Sequence, residues 1–328
     1  MICEFNLQSI SKCRSLLMGY AILGVLVGHI FAFGDVETTN GVKLLNWFGG
    51  LVHTSGFLFL SGFGVCYSLH KNGNIVGFYR RRFYRFLLPF LIMAMPFFII
   101  VCYVNGYGII QYFAYISTAE FWINGNYHGM WYIAISLFLY VVTPPICKIS
   151  AYITTKIIVR DLILLGISIL VCYCIKCYFP TYYDNLSIGL TPLPMFYVGF
   201  LLGDLSRKSI GLSKKAMFGI CFVTALLYFV DTQVYGITFI MHCMFGILLA
   251  CFIFKLLMEY NAKIVLSLFN WLGKYTLELY ILHIYYWFII KGVCHYGYIF
   301  NIVVAVMLSL LTCVPVHKVF ENIERRFK

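Results

Sequence analysis

RRRFYRFLLPFLIMAMPFFIIVCYV, residues 80–104, joins four arginines within six positions to an unbroken apolar run. From 86 to 104 there is no Lys, Arg, Asp or Glu, and about 20 such residues in a helix cross the roughly 30 Å hydrocarbon core of a bilayer. Lipid offers nothing to an open backbone N–H or C=O, so a helix, bonded within itself, is the element that fits. The arginines mark the end kept in the cytoplasm.

Outward from this segment, nine further runs of the same kind lie at about 15–33, 46–68, 130–149, 160–178, 190–205, 215–231, 236–257, 274–290 and 299–319. The spacing predicts an all-α, polytopic membrane protein of about ten transmembrane helices. Pro192 and Pro194 interrupt the run at 190–205, and the runs at 215–231 and 274–290 are near the lower length limit. The first run lacks a small-residue cleavage pattern after it and reads as a retained helix.

Basic residues then sort the loops. Lys12 and Arg14 precede the first run; Lys71 and the four arginines follow the second; Lys148, Lys156 and Arg160 follow the fourth. Arg207, Lys208, Lys214 and Lys215 follow the sixth, Lys255, Lys263 and Lys274 the eighth, and Lys318, Arg325, Arg326 and Lys328 close the chain. Of the 24 basic residues, only Lys43, Lys176 and Lys291 fall on the other side, with Asp35, Glu37, Glu120, Asp184 and Asp231. Both termini are therefore predicted to be cytoplasmic.

Composition excludes the main alternatives. The chain is 62% hydrophobic and only 11% charged, with mean hydropathy +0.89, against roughly 25% charged in a soluble domain; a soluble enzyme, a disordered chain and a coiled coil are ruled out. A net charge of +12 would suit a nucleic-acid binder only if it gathered on a wet face. Here it follows the loops, so no nucleic-acid partner is expected. Most of the 13 cysteines sit in apolar runs as small hydrophobes. Cys172, Cys174 and Cys177 lack paired spacing and a His partner, so no metal is expected. With no repeat and no linker, residues 1–328 read as one membrane domain with no appended soluble domain.

Ionisable groups within spans are costly and mark function by default. His29 lies 15 residues beyond Arg14, roughly 22 Å along a helix, in the outer half of the first span. His53 starts the second span, and the short connection between the two spans predicts a hairpin with both imidazoles at similar depth. Such a pair suits acid–base chemistry near neutral pH; polar side chains joining helices would look the same. Arg82 and Arg85 are three apart, on one face of a helix, and guanidinium forks match phosphate. An anionic cofactor such as a nucleotide or coenzyme A is one partner they suit, lipid headgroups another. Glu278 is shallow in the ninth run, and His283 is deeper, flanked by Tyr280 and Tyr286.

In order along the chain, Gly19 to His29, then His53 through Phe57-Leu58-Phe59-Leu60-Ser61-Gly62-Phe63, then Arg82-Phe83-Tyr84-Arg85 with Pro89 form a pattern. It continues with Trp131-Tyr132, Tyr140 and Pro144, Leu272 to His283, and Ile323-Glu324-Arg325-Arg326-Phe327. Together these resemble the membrane-bound acyltransferase family 3, integral-membrane O-acyltransferases that usually acetylate cell-surface glycans. The resemblance implies transfer of an acyl group, acetyl first among them, from cytoplasmic acyl-CoA to a sugar hydroxyl of a glycan or its lipid-linked precursor, in a bacterial cytoplasmic membrane. It implies His29 and His53 as catalytic residues, Arg82 and Arg85 as coenzyme A ligands, and Arg14, Ser61, Trp131, Glu278 and His283 as further site candidates. Partners would be membrane lipid and the sugar acceptor, and a homo-oligomer is compatible with this. Direct transfer is preferred to an acyl-enzyme, because no Ser or Cys stands in a nucleophile motif. One position departs: where the family usually carries Arg or Lys, eleven residues before the first-span His, this chain has Met18. A catalytically silent relative, or a transporter or flippase of glycan intermediates, therefore stays open as an alternative.

Overall fold

The computed structural model describes residues 5–32, 53–72, 74–125, 127–154, 156–207, 211–212, 237–293 and 297–326. Its elements are almost all helical. After a short α1 (Gln8–Lys12), α2 (Arg14–Ala32) and α3 (His53–Asn72) correspond to the first two expected spans. The third begins earlier than the apolar run, at α4 (Ile75–Arg82), because Asn74 caps it by accepting from the Gly77 N–H at 3.2 Å. A π-helical turn, Phe83–Leu87, leads into α5 (Leu88–Asn105). Two short helices follow, α6 (Ile109–Ile116) and α7 (Ala119–Asn124), then α8 (Trp131–Ile153) and α9 (Ile157–Tyr178). Then come α10 (Pro180–Leu190), α11 (Pro194–Arg207), α12 (Ile237–Glu259), α13 (Lys263–Lys274), α14 (Thr276–Val293) and α15 (Tyr298–Arg326). A two-residue antiparallel pairing, Phe5–Asn6 with Gly211–Leu212, is the strand structure among the described residues.

Four described helical segments are long and apolar enough to cross a membrane: 75–105, 131–150, 157–178 and 300–326. A fifth arises if the bent pair α10 and α11 counts as one span. The expectation at 190–205 is corrected here. Helix runs from Pro180, and the prolines at 192 and 194 break it at Thr191–Leu193 into two arms bent by 41°. The run at 215–231 lies outside the described residues. α3 is central and carries polar side chains to its neighbours: Ser61 meets Tyr132 and Tyr140 of α8, and His70 approaches Asp204 of α11. The aromatic segment after α5 folds as α6 and α7, which bury Tyr115 and Phe121 and expose Ile109, Ile110 and Phe113, as suits an interfacial position.

Glycine decides the closest helix contacts. Gly62 and Gly199 face each other's helices: a Cβ on Gly62 would collide with the Phe196 carbonyl of α11, and one on Gly199 with the Phe59 carbonyl of α3. Gly19 and Gly273 make the same reciprocal contact, with Phe269 of α13 and Ser15 of α2. In lipid, apolar burial supplies little drive between helices, and close backbone approach through small residues takes its place. The result is a row, α13–α2–α3–α11, around which the other helices gather.

The ends of this row that carry the basic loops are tied by ions. Arg160 Nη2 reaches Asp161 Oδ1 at 2.7 Å and Asp204 Oδ2 at 2.9 Å, joining α9 to α11. His70 Nε2 of α3 and Arg207 Nη1 both approach Asp204 Oδ1 at 3.4 Å, and the Tyr67 and Ser206 hydroxyls share a 2.6 Å hydrogen bond. At the same end of α14 and α15, His317 Nδ1 meets Glu278 Oε1 at 2.7 Å and Nε2 meets Glu321 Oε1 at 3.3 Å.

Candidate active site

α2 and α14 carry the two histidines that meet. His29 Nδ1 lies 2.9 Å from His283 Nε2, although the residues are 254 apart in sequence. His283, fully buried, also places Nδ1 2.8 Å from the Leu279 carbonyl one turn back on its own helix. A carbonyl can only accept, so His283 Nδ1 bears the hydrogen, and in the uncharged ring Nε2 is an acceptor. His29 Nδ1 must then donate to it. This assignment, made from the network, makes Nε2 the acceptor nitrogen of the His29 ring.

Aromatic hydroxyls brace the pair. Tyr298 donates to the His29 carbonyl at 2.7 Å. Tyr280, its ring 6.1 Å from that of His283, donates to the Gly129 carbonyl at 2.6 Å, fixing the loop before α8. His128 in that loop has φ +45°; burial lowers its pKa below the ordinary value against a smaller opposing effect of Glu120.

A polar track leads from the dyad toward the basic end. Tyr132, Ser136, Tyr140 and Thr143 recur at helical spacing on α8, so they share one face over roughly 16 Å. The Tyr132 ring is 5.6 Å from that of Tyr280. Ser61 Oγ of α3 lies 3.0 Å from the Tyr132 hydroxyl and accepts from the Tyr140 hydroxyl at 3.2 Å. Ser136 Oγ and Thr143 Oγ1 are buried on the same face. Beyond Tyr140 come two cations. The Arg82 guanidinium lies 4.4 Å over the Tyr140 ring and 5.4 Å over that of Phe78, a cation–π arrangement. Arg14 packs its guanidinium against Gly64 of α3, where a Cβ would strike Nη2, and lies in electrostatic range of Arg82, Tyr140 and Tyr132. Its Nε is buried with no partner, and no carboxylate among the described residues pairs with Arg14 or Arg82.

His29 meets His283; His53 opens α3, and its side chain, with the expected pairing to His29, lies outside the described residues. The geometry corrects one expectation. Arg82 and Arg85 do not share a face, because the π turn between them holds more residues than an α turn and carries Arg85 round to Glu324, with Nε 2.9 Å from Oε1. Arg85 is 60% exposed in that pair. Of the other candidates, Ser61 joins the track and Arg14 ends it, Trp131 is buried beside Tyr132, and Glu278 is held by His317, away from the dyad. Met18 packs among apolar side chains. The hydroxyl track and the Arg14–Gly64 contact went unread; the signals were the repeat of Tyr and Ser at steps of four on α8 and a glycine in the second span.

Cys66, His70 and Asp204 bring three ligand-type atoms within 4.8 Å of one another. Asp204 already holds Arg160, Arg207 and His70, and an incoming cation would have to displace guanidiniums, so this group is an ion network. Cys172 instead donates its thiol to the Leu190 carbonyl at 3.3 Å.

No curated protein and no solved structure matches the chain. A family model does: acyltransferase family 3, described as an acyltransferase domain, matches residues 16–318, a range that holds the histidine pair, the hydroxyl track and Arg82. With apolar helices long enough to span a bilayer, the chain belongs to acyltransferase family 3 and is a membrane acyltransferase.

Proposed function

We propose that the protein moves an acyl group, acetyl in the simplest case, from cytoplasmic acyl-CoA to a sugar hydroxyl of a cell-surface glycan or its lipid-linked precursor, in a bacterial cytoplasmic membrane. The observation that carries the reading is the ordered histidine pair. A general base needs an unprotonated ring nitrogen, and the Leu279–His283–His29 chain puts the hydrogen of His29 on Nδ1, so that Nε2 is its acceptor nitrogen. His29 Nε2 takes the acceptor's hydroxyl proton as the oxygen attacks the thioester carbonyl. The tetrahedral intermediate collapses with loss of the coenzyme A thiolate, which recovers that proton from the imidazolium. His283 orients His29 and accepts its Nδ1–H throughout.

Donor binding falls to the other end. Arg14 and Arg82, two cations with which no carboxylate among the described residues pairs, suit the phosphates of coenzyme A, and the α8 hydroxyls lie where the amides of a pantetheine arm would pass toward the dyad. Arg14, rather than a residue at position 18, then supplies the first-span cation. Arg85, engaged by Glu324, is secondary.

Release of free coenzyme A thiol from acetyl-CoA, with and without glycan acceptors, tests the reading. His29→Ala is expected to lower the rate on the order of 10²- to 10⁴-fold with the fold intact, and His283→Ala by less, since it acts through His29. A wild-type protein that binds acetyl-CoA and never releases thiol would be a silent relative. Unchanged turnover in His29→Ala would remove the dyad from the chemistry.

A further inference from the structure

Outward from the dyad, α14 carries a second line of polar groups. His283, Trp287 and Lys291 are spaced by four, so they stack on one helix face, rising from the buried base to the end opposite the basic loops. Lys291 is one of the three basic residues expected on that side, and it is exposed. Its ammonium lies 5.4 Å from the Trp287 ring centroid. The Trp287 indole Nε1–H is shut off from solvent and donates to nothing, whereas a buried indole N–H ordinarily finds an acceptor. Tyr298 connects this pair to the base: its ring stands 5.9 Å from Trp287, edge to face, and its hydroxyl holds the His29 carbonyl.

An aromatic plate, an unused N–H and a cation, one and two turns outward of His283, form a site with a chemical preference. We propose that Trp287 and Lys291 dock the acceptor, and that the acceptor is an anionic sugar bearing a carboxylate or phosphate, entering from the outer side. The pyranose lies against the indole, the anion pairs with Lys291, and a sugar oxygen accepts the indole N–H. Lys291 sits on a flexible four-carbon stem, so it can swing off the ring as the sugar arrives. This assignment rests on the acyltransferase reading and specifies its acceptor.

The test is thermal melting of the full chain in detergent with three probes: hyaluronan tetrasaccharide for a uronate, N-acetylglucosamine 1-phosphate for a phosphate, and neutral chitotetraose. At least one anionic probe is expected to raise the melting midpoint saturably, with chitotetraose inert, and which one acts names the anion. Lys291→Met should weaken that probe's apparent affinity about tenfold or more, and Trp287→Phe, which keeps a ring and loses the N–H, about fivefold. Equal stabilisation by chitotetraose, no stabilisation by either anionic probe at millimolar concentration, or wild-type affinity in both variants would overturn the proposal. Lys291 would then only cap the α14 C-terminus. Acetyl-CoA added to the same wild-type sample separates the two levels: sugar binding without donor binding leaves the docking site standing and removes the transferase reading.

Discussion

Arg160 and Arg14 both carry guanidiniums into the basic-loop half of the bundle, and they meet opposite surroundings. Arg160 touches Asp161 and Asp204, with His70 and Arg207 completing the group. Arg14 meets a glycine, two tyrosines and a second arginine, and its Nε has no partner. Burying an uncompensated charge is expensive. The contrast separates a cation that holds helices together from one with which no carboxylate among the described residues pairs.

Stability breaks or sharpens this contrast first. Arg160→Met leaves Asp161 buried without its cation and takes from Asp204 its closest one, and is expected to cost about 3–5 kcal/mol, read as a large fall in the melting midpoint in detergent. Arg14→Gln removes a charge with no acid to strand, so the apo protein should keep its midpoint or gain. A loss in Arg14→Gln as large as in Arg160→Met would place Arg14 among the structural cations. The smallest effect belongs to Arg85→Gln: its pair with Glu324 is mostly exposed and screened, worth about 0–1 kcal/mol, and the midpoint should barely move.

How far the sequence carried the fold follows from the period of each signal. Apolar runs are local, so helix positions could be read from 80–104 outward. His29, His283, Arg82 and Arg14 were all visible as polar residues in costly places. Their partners were not. His29 and His283 are brought together by packing of α2 against α13 and α14, which no local pattern encodes. The split of Arg82 from Arg85 depends on a single π turn, invisible to an argument that counts by 3.6. The broken helix at 191–193 was half legible, since prolines mark a break without saying how far the helix extends before it.

Binding of acetyl-CoA, measured by thermal shift on the purified chain, tests the central claim most directly, because a ligand of the native state must raise its apparent stability. The account predicts saturable stabilisation in the wild type and in Arg85→Gln, with affinity reduced about 10- to 100-fold in Arg14→Gln and in Arg82→Gln. Stabilisation that survives the loss of both Arg14 and Arg82, or that disappears with Arg85 alone, would contradict it.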